Sequence, residues 1–501
     1  MIFPDAAAFA AAHGAGHAQV VWTRIVADTE TPVSAMLKLG LDGRGGFLLE
    51  SVEGGAVRGR YSLLGLAPDL VWRAQGNACE ANRRFQDDPE AFERCPGGTL
   101  EELRKLVAGI RMELPAALPP ALSLLVGYMG YETAALVEKL PAPKADPLGV
   151  PDMLFMRPTL LLVFDRLKDE LFIVAPAFPG GGSAEAQYRA ACERIETAAA
   201  KLARPVPVNR LAIGAVDVTP QPQTDPATYA SMVDRAKDYI LAGDIFQVVL
   251  AQRFAVDFPL PPFDLYRSLR RINPSPFLYF LDLPGFALIG SSPEILVRVR
   301  DGEVTIRPIA GTRPRGQTSA EDAANRDSLL ADPKELSEHL MLLDLGRNDI
   351  GRVAKPGSVA VTERNNVEFY SHVMHIVSNV RADLADGKDS IDALLAGFPA
   401  GTVSGAPKVR AMEIIHELEA EKRGAYAGGV GYFAADGSMD SCIVLRTAVV
   451  KDGVMHVQAG AGIVADSVAA YEQRECEAKS GALMAAAREA IRMASEPGFG
   501  Q

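Results

Sequence analysis

The chain has 501 residues, 48% hydrophobic and 23% charged, enough for two or three domains with buried cores. Its 63 acidic residues outnumber 51 basic ones, and a formal net charge of −12 argues against a nucleic-acid or anionic-membrane partner. The five cysteines (Cys79, Cys95, Cys192, Cys442, Cys476) are scattered and lack CxxC spacing, which fits a reducing compartment and excludes a disulfide framework or zinc site.

Asp5 ahead of an alanine-rich run reads as an N-capped helix and not as a signal peptide. The best apolar run, 121–137, is interrupted by Gly127, Gly130 and Glu132, so no membrane span is expected and the expected location is cytoplasmic. Residues 159–165 and 170–175 flank a polar turn as a hairpin. Prolines 205, 207, 220 and 222 mark 205–225 as a linker between an N-terminal domain, 1–204, and a C-terminal domain, 226–495. Within the latter, helices are expected over 229–241, 333–345, 407–418 and 468–493. Hairpins are expected at 295–300/303–309, around Asp301-Gly302, and at 441–450/454–458, around Asp452-Gly453, with Asp436-Gly437 just upstream. Asp-Gly between β-rich runs supplies the positive φ that such turns require. Hairpin sheets with helices between them predict an α+β fold, not a doubly wound parallel sheet.

Two pairs of glutamates stand three residues apart near helix starts: Glu335 with Glu338, after the N-cap Asp332 and Pro333, and Glu472 with Glu475. Asp-x-x-Glu is also a capping-box spacing, and acids in a first helical turn are favoured by the helix dipole, so each pair has a purely structural reading. Four carboxylates facing one cavity would instead demand a cation, and Mg²⁺ suits hard oxygen ligands that share it with waters and an anionic substrate. The loop 401–408, Gly-Thr-Val-Ser-Gly-Ala-Pro-Lys, precedes a helix and offers backbone N–H groups to an anion. Gly460 and Gly462 fit the spacing of a dinucleotide fingerprint, but an antiparallel meander and not a βαβ unit surrounds them; they mark a close approach of backbone to ligand. His372 and His375 lie three apart on an expected strand, 371–378, and so point to opposite faces. Arg446 and Lys479 sit in apolar or small-residue surroundings where carboxylates are the usual partners.

Six segments occur in order: Arg-Pro-Ile-Ala-Gly-Thr at 307–312, Glu-Leu-Ser-Glu-His at 335–339, Asp-Leu-Gly-Arg-Asn-Asp at 344–349, the strand at 371–375, the loop 401–408, and Gln-Ala-Gly-Ala-Gly at 458–462. Together they closely resemble the chorismate-utilising enzymes, and within them the large subunits of anthranilate synthase. The resemblance is dense over about 225–490. It implies orthogonally packed antiparallel sheets between helical layers, and a reaction that aminates chorismate at C2 with loss of the C4 hydroxyl, then eliminates pyruvate. It implies Mg²⁺ held by Glu338 and Glu475, with Glu335 and Glu472 supporting it through water. His375 would be the acid/base of the elimination, with Glu335 and Thr402 also catalytic. Gly311, Thr312, Tyr426, Arg446, Gly460, Gly462 and Lys479 match substrate-binding positions, Arg446 as the clamp for the enolpyruvyl carboxylate.

Relatives make other products from chorismate. Many aminodeoxychorismate synthases carry a nucleophilic lysine in the segment where this chain has Ala310, which disfavours that alternative. The segments Leu-Leu-Glu-Ser at 48–51, Arg-Tyr-Ser at 60–62 and Asn-Pro-Ser-Pro-Phe-Leu at 273–278 resemble a tryptophan feedback site made by Glu50, Ser51, Tyr61, Asn273, Pro276, Phe277 and Leu278; alone they also read as a strand end and a turn. A non-catalytic tryptophan-binding subunit is the other alternative, and the complete glutamate and histidine set argues against it. No Gly-x-Cys-x-Gly elbow surrounds any cysteine, so the resemblance implies a separate glutamine amidotransferase subunit as the source of ammonia.

Overall fold

The computed structural model describes residues 1–40, 45–53, 57–119, 122–180, 182–207, 216–370 and 373–495. Among these, every strand-to-strand pairing within the sheets is antiparallel, and helices pack on the sheets, giving the α+β fold. Two long strands, Tyr61–Gln75 and Met153–Asp165, form the spine. Both read as nearly unbroken apolar runs because they are covered on both faces; Leu64, Leu161, Leu162 and Val163 are fully buried.

A register shift between Pro68 and Leu70, with Ala67 at φ 50°, divides the spine, and a different branch of sheet leaves each end. From Leu63–Leu66 the first branch runs through Gly46–Glu50, Phe277–Leu283, Phe286–Ser292, Thr447–Lys451, Val454–Ile463 and Gln247–Asp257. From Met153–Met156 the second runs through Ser123–Met129, Gly429–Ala434, Met439–Ile443, Ile295–Arg300, Glu303–Ile306, Val373–Asp383 and Ala360–Phe369, with Ile309–Pro314 also beside Val373–Asp383. Backbone hydrogen bonds therefore join the segments before and after the proline-rich stretch in both branches. Within that stretch, 208–215 lies outside the described residues, and Gln221–Pro222 pairs with Ala255 and Phe254.

The helices Pro262–Ile272 and Ala469–Ser495 pack together over the first branch, while Pro333–Gly351 covers Ile309–Pro314 and Val373–Asp383. Asp5 caps Ala6–Gly14 through the Ala8 amide at 2.8 Å, and the Asp-Gly turns close with both residues at positive φ at 301–302 and 452–453. Two expected strands are interrupted. The strand expected over 303–309 stops at Ile306 and resumes at Ile309, because Pro308 cannot donate to a ladder. The strand expected over 441–450 breaks between Ile443 and Thr447, where Arg446 adopts φ 48° and the chain passes from the second branch to the first. The chain makes the opposite passage between Ser292 and Ile295, and the two crossovers are bonded together: Ile443 N donates to Glu294 O at 3.0 Å, and Ser291 N to Arg446 O at 3.2 Å.

Candidate active site

The paired crossovers place a carboxyl group and a guanidinium at one seam. Glu294 is buried; its Oε1 accepts from Thr402 Oγ1 at 2.8 Å, and burial pushes its carboxyl up to about 8 against the opposing pull of that bond, of the Ile309 backbone amide and of Arg446. A neutral carboxylic acid at physiological pH is the result. Arg446, half-buried beside Glu294 and Tyr370, has its pKa lowered by burial, and its guanidinium has no hydrogen-bond or ion-pair partner among the described residues. A guanidinium removed from water without a carboxylate is costly, so this one is set to receive an anion.

His375 stands across the seam on Val373–Asp383. Its Nδ1 lies 3.0 Å from the Gly311 carbonyl and 3.1 Å from Thr312 Oγ1. A carbonyl only accepts, so Nδ1 carries the hydrogen and Nε2 presents a lone pair. Burial holds the imidazole down at about 4, so it is neutral at physiological pH. Gly311 makes this approach possible: it sits at a register irregularity with φ 70°, and a Cβ there would lie 3.1 Å from Glu335 Oε2. The other histidine of that strand, His372, lies with Ser371 outside the described residues.

Behind the seam, Gly460 and Gly462 form part of the wall. A Cβ on Gly460 would meet Tyr426 Oη at 2.8 Å and the Leu250 carbonyl at 3.1 Å, and one on Gly462 would meet Gln247 Nε2 at 2.5 Å. The close neighbours on this side of both glycines are the protein's own backbone and side chains. Lys479 Nζ donates to the Gly460 carbonyl at 2.8 Å and pairs with Glu475 at 2.7 Å. Lys408 of the 401–408 loop is spent on a buried ion pair with Asp349, so that loop reaches the site through Thr402. Its first four residues are a single helical turn, Gly401–Ser404.

The two glutamate pairs converge. Asp332 caps its helix as expected, accepting from Lys334 N at 3.0 Å, but Glu335 does not complete a capping box; its carboxylate binds Arg313 at 2.8 Å. Glu338 has no hydrogen-bond or ion-pair partner among the described residues; burial first, and then the charges of Glu335 and Glu475, push its pKa up. Burial likewise raises Glu472. Lys334 Nζ reaches Asp466 at 3.0 Å, tying the first helix start to the loop that enters the second. Among the described residues no three His, Cys, Asp or Glu side chains form a ready metal cluster.

The residues grouped as a tryptophan site separate. Ser51, Tyr61, Pro276, Phe277 and Leu278 line a cavity of about 660 Å³, closed on the opposite side by Val430, Tyr432 and Cys442. Glu50 also borders it, but its carboxylate is held by Arg270 at 2.8 and 3.0 Å, by Tyr266 at 2.7 Å and by Arg166. Asn273 is not part of the wall; it ends the helix Pro262–Ile272.

Sequence reasoning overlooked Glu294, Gln247 and Tyr370. Gln247 is buried, and its Oε1 has no hydrogen-bond partner among the described residues. Glu294 and Gln247 carried one available signal: a lone polar residue at the mouth of an apolar strand, Glu before Ile-Leu-Val and Gln before Val-Val-Leu-Ala.

The family model for chorismate-binding enzymes matches residues 70–485. The chain is similar to anthranilate synthase component 1 of Cereibacter sphaeroides, 55% identical over 489 residues that cover 97% of this chain and 98% of that protein. It is 46% identical to the Thermus thermophilus protein of the same name, over 92% and 96% of the two chains. The solved anthranilate synthase component I from Streptococcus pneumoniae superposes with a TM-score of 0.73 at 38% identity, covering 85% of this chain and 92% of that one. The menaquinone-specific isochorismate synthase of Escherichia coli shares the fold, with a TM-score of 0.71 at 18% identity and coverage of 94% and 95%. This chain belongs to the chorismate-binding enzyme family, in its anthranilate synthase component 1 branch.

Proposed function

We propose that this chain converts chorismate and ammonia to anthranilate, pyruvate and water, as the large subunit of an anthranilate synthase. A separate glutamine amidotransferase subunit supplies the ammonia. The observation that carries the reading is the unpartnered Arg446 guanidinium beside a neutral buried carboxylic acid and a neutral imidazole with a free lone pair.

Arg446 would take the enolpyruvyl carboxylate, with Tyr426, Lys479, Thr312 and the backbone at Gly311, Gly460 and Gly462 completing the wall around the substrate. Glu294 is the group suited to protonate the departing C4 hydroxyl, since it holds a proton at neutral pH and Thr402 fixes its other oxygen. Gln247 Oε1, a buried acceptor with nothing to accept, would orient ammonia for attack at C2. In the second step His375 Nε2 would take the C2 proton as the bond to the enolpyruvyl oxygen breaks, and would return it to the methylene carbon of the departing enolpyruvate; pyruvate leaves and the ring becomes aromatic.

The glutamates fit a hard divalent cation. Glu338 is an unpaired, half-buried carboxylate in the field of two others, and Mg²⁺ needs only one or two carboxylates because it keeps waters and shares the substrate's oxygens. Glu338 and Glu475 would hold it directly, Glu335 and Glu472 through water. When bound, the ion supplies positive charge to the ring carboxylate and to the charge that develops as the hydroxyl leaves. The cavity at Ser51, Tyr61 and Pro276–Leu278 would take tryptophan as feedback inhibitor.

Purified chain given chorismate, Mg²⁺ and an ammonium salt should form anthranilate and pyruvate in equal amounts, with tryptophan suppressing both. Glutamine should replace ammonium only when the amidotransferase subunit is added. Aminodeoxychorismate without pyruvate, or turnover of glutamine by the chain alone, would overturn the reading.

A further inference from the structure

The cavity assigned to tryptophan and the catalytic seam share a wall one residue thick. Pro293 and Ile295 line the cavity on either side of Glu294, whose own carboxylate turns the other way, to Thr402. Ile309, two residues before the Gly311 carbonyl that orients His375, lines it as well. At the same end Arg307 pairs with Glu368 at 2.5 Å, Tyr370 Oη donates to Glu368 Oε2 at 3.0 Å, and the Tyr370 ring stands edge-on to His375 with centroids 5.3 Å apart. Glu368 is directly opposite His375 in the strand ladder. Arg307, Glu368 and Tyr370 all face the cavity.

These three are also the part of the wall most able to yield. The cavity's other carboxylates are each gripped by two arginines: Glu50 by Arg166 and Arg270, and Asp440 by Arg298 and Arg300 at 3.1 and 3.0 Å. Glu368 has a single arginine, and both side chains of that pair are about one-third exposed. A ligand shifts an equilibrium only through contacts that differ between two states, and a singly held ion pair is where such a difference costs least.

We propose that Glu368 and Tyr370 are positioning residues for His375, and that an amino acid bound in the cavity lowers the enzyme's affinity for chorismate by displacing the Arg307–Glu368–Tyr370 chain. The proposal rests on the reading of that cavity as a tryptophan site. Coupling of this kind is reciprocal, so chorismate must weaken tryptophan binding by the same factor.

Calorimetric titration of the full chain with tryptophan, with and without chorismate and in the absence of an ammonium source, measures that factor. The wild type should show about 10-fold coupling or more, within the usual range for linked sites. Tyr370→Phe, which keeps the ring and removes the hydroxyl, and Arg307→Lys should each still bind tryptophan alone while coupling falls below about twofold. Tyr370→Phe should also move the acid limb of the pH–rate profile set by His375, which a merely structural role would leave in place. Full coupling in both variants overturns the proposal and leaves the two sites standing. A wild type that forms anthranilate but binds no tryptophan also overturns it, and leaves the catalytic reading intact.

Discussion

Two buried glutamates, Glu50 in the first branch and Glu294 at the crossover, show opposite solutions to the same problem. Both are almost wholly withdrawn from water. Burial would raise Glu50, but Arg270, Tyr266 and Arg166 outweigh it and hold the carboxylate below the ordinary glutamate range. Glu294 receives only the Thr402 hydroxyl, the Ile309 backbone amide and the field of the neighbouring Arg446, and burial wins, so its proton stays on to about 8. An acid saturated with donors is committed to structure, whereas an acid left underpartnered at a cavity is free for proton transfer. Glu338, unpaired and raised, falls on the second side of this division, and Glu335, bound to Arg313, is intermediate.

The contrast breaks most sharply at Glu294. Glu294→Gln keeps an acceptor for Thr402 and loses the proton, so anthranilate formation should fall by about 10²–10⁴-fold with the thermal midpoint nearly unchanged. The pH profile carries the sign. Glu294 acts while protonated, so wild-type rate should decline above about 8; His375 acts while neutral, so rate should decline below about 4. The variant's residual activity should lack the alkaline limb, and a retained limb would assign that titration elsewhere.

Glu50→Gln should do the reverse, harming the fold before the chemistry. It leaves the partly buried Arg166 and Arg270 with no anion, a loss of about 3 kcal/mol readable as a lower urea midpoint. Because the folded pKa is depressed, Glu50 contributes stability above the ordinary glutamate range, and the contribution disappears as pH falls through its folded value. The gap between wild type and variant should therefore close in acid. Arg446→Lys lies next in size: exchanging a planar fork for a point charge should cost about 1.5–3 kcal/mol in kcat/KM for chorismate, with stability preserved since no protein partner is lost.

How far the residues themselves announced this arrangement depends on the range over which each feature is decided. The turns at Asp301-Gly302 and Asp452-Gly453 were readable because two residues suffice to set them. The break at Arg446 was not, since only the partner branch decides where a strand must leave one sheet for another; Leu-Arg-Thr inside an apolar run otherwise reads as continuous strand. The glutamate pairs were visible as spacings, yet their convergence depends on helices that start more than 130 residues apart in the chain, at Pro333 and Ala469. Glu294 was passed over because one acid before a strand has many ordinary explanations, and its partner Thr402 lies 108 positions away. Asn273 shows the complementary limit: a residue within a motif can also end a helix, and here it bonds Ser291 and does not line the cavity.

The finest division falls between the glutamate-bearing helix starts, where Lys334 reaches Asp466. Both side chains are about two-thirds exposed, so the ion pair itself is worth no more than about 1 kcal/mol and Lys334→Met should barely move the thermal midpoint. Its field is a separate matter. Lys334 lowers the pKa of Glu338 and Glu472, and so repels a divalent cation from the same carboxylates. Removing it should tighten Mg²⁺ binding by about two- to fivefold at low ionic strength, an effect that fades as salt screens exposed charge. If Mg²⁺ binding weakens instead, the bridge is holding the two helix starts in register, and the glutamates belong with Glu50 as groups whose geometry is enforced from outside.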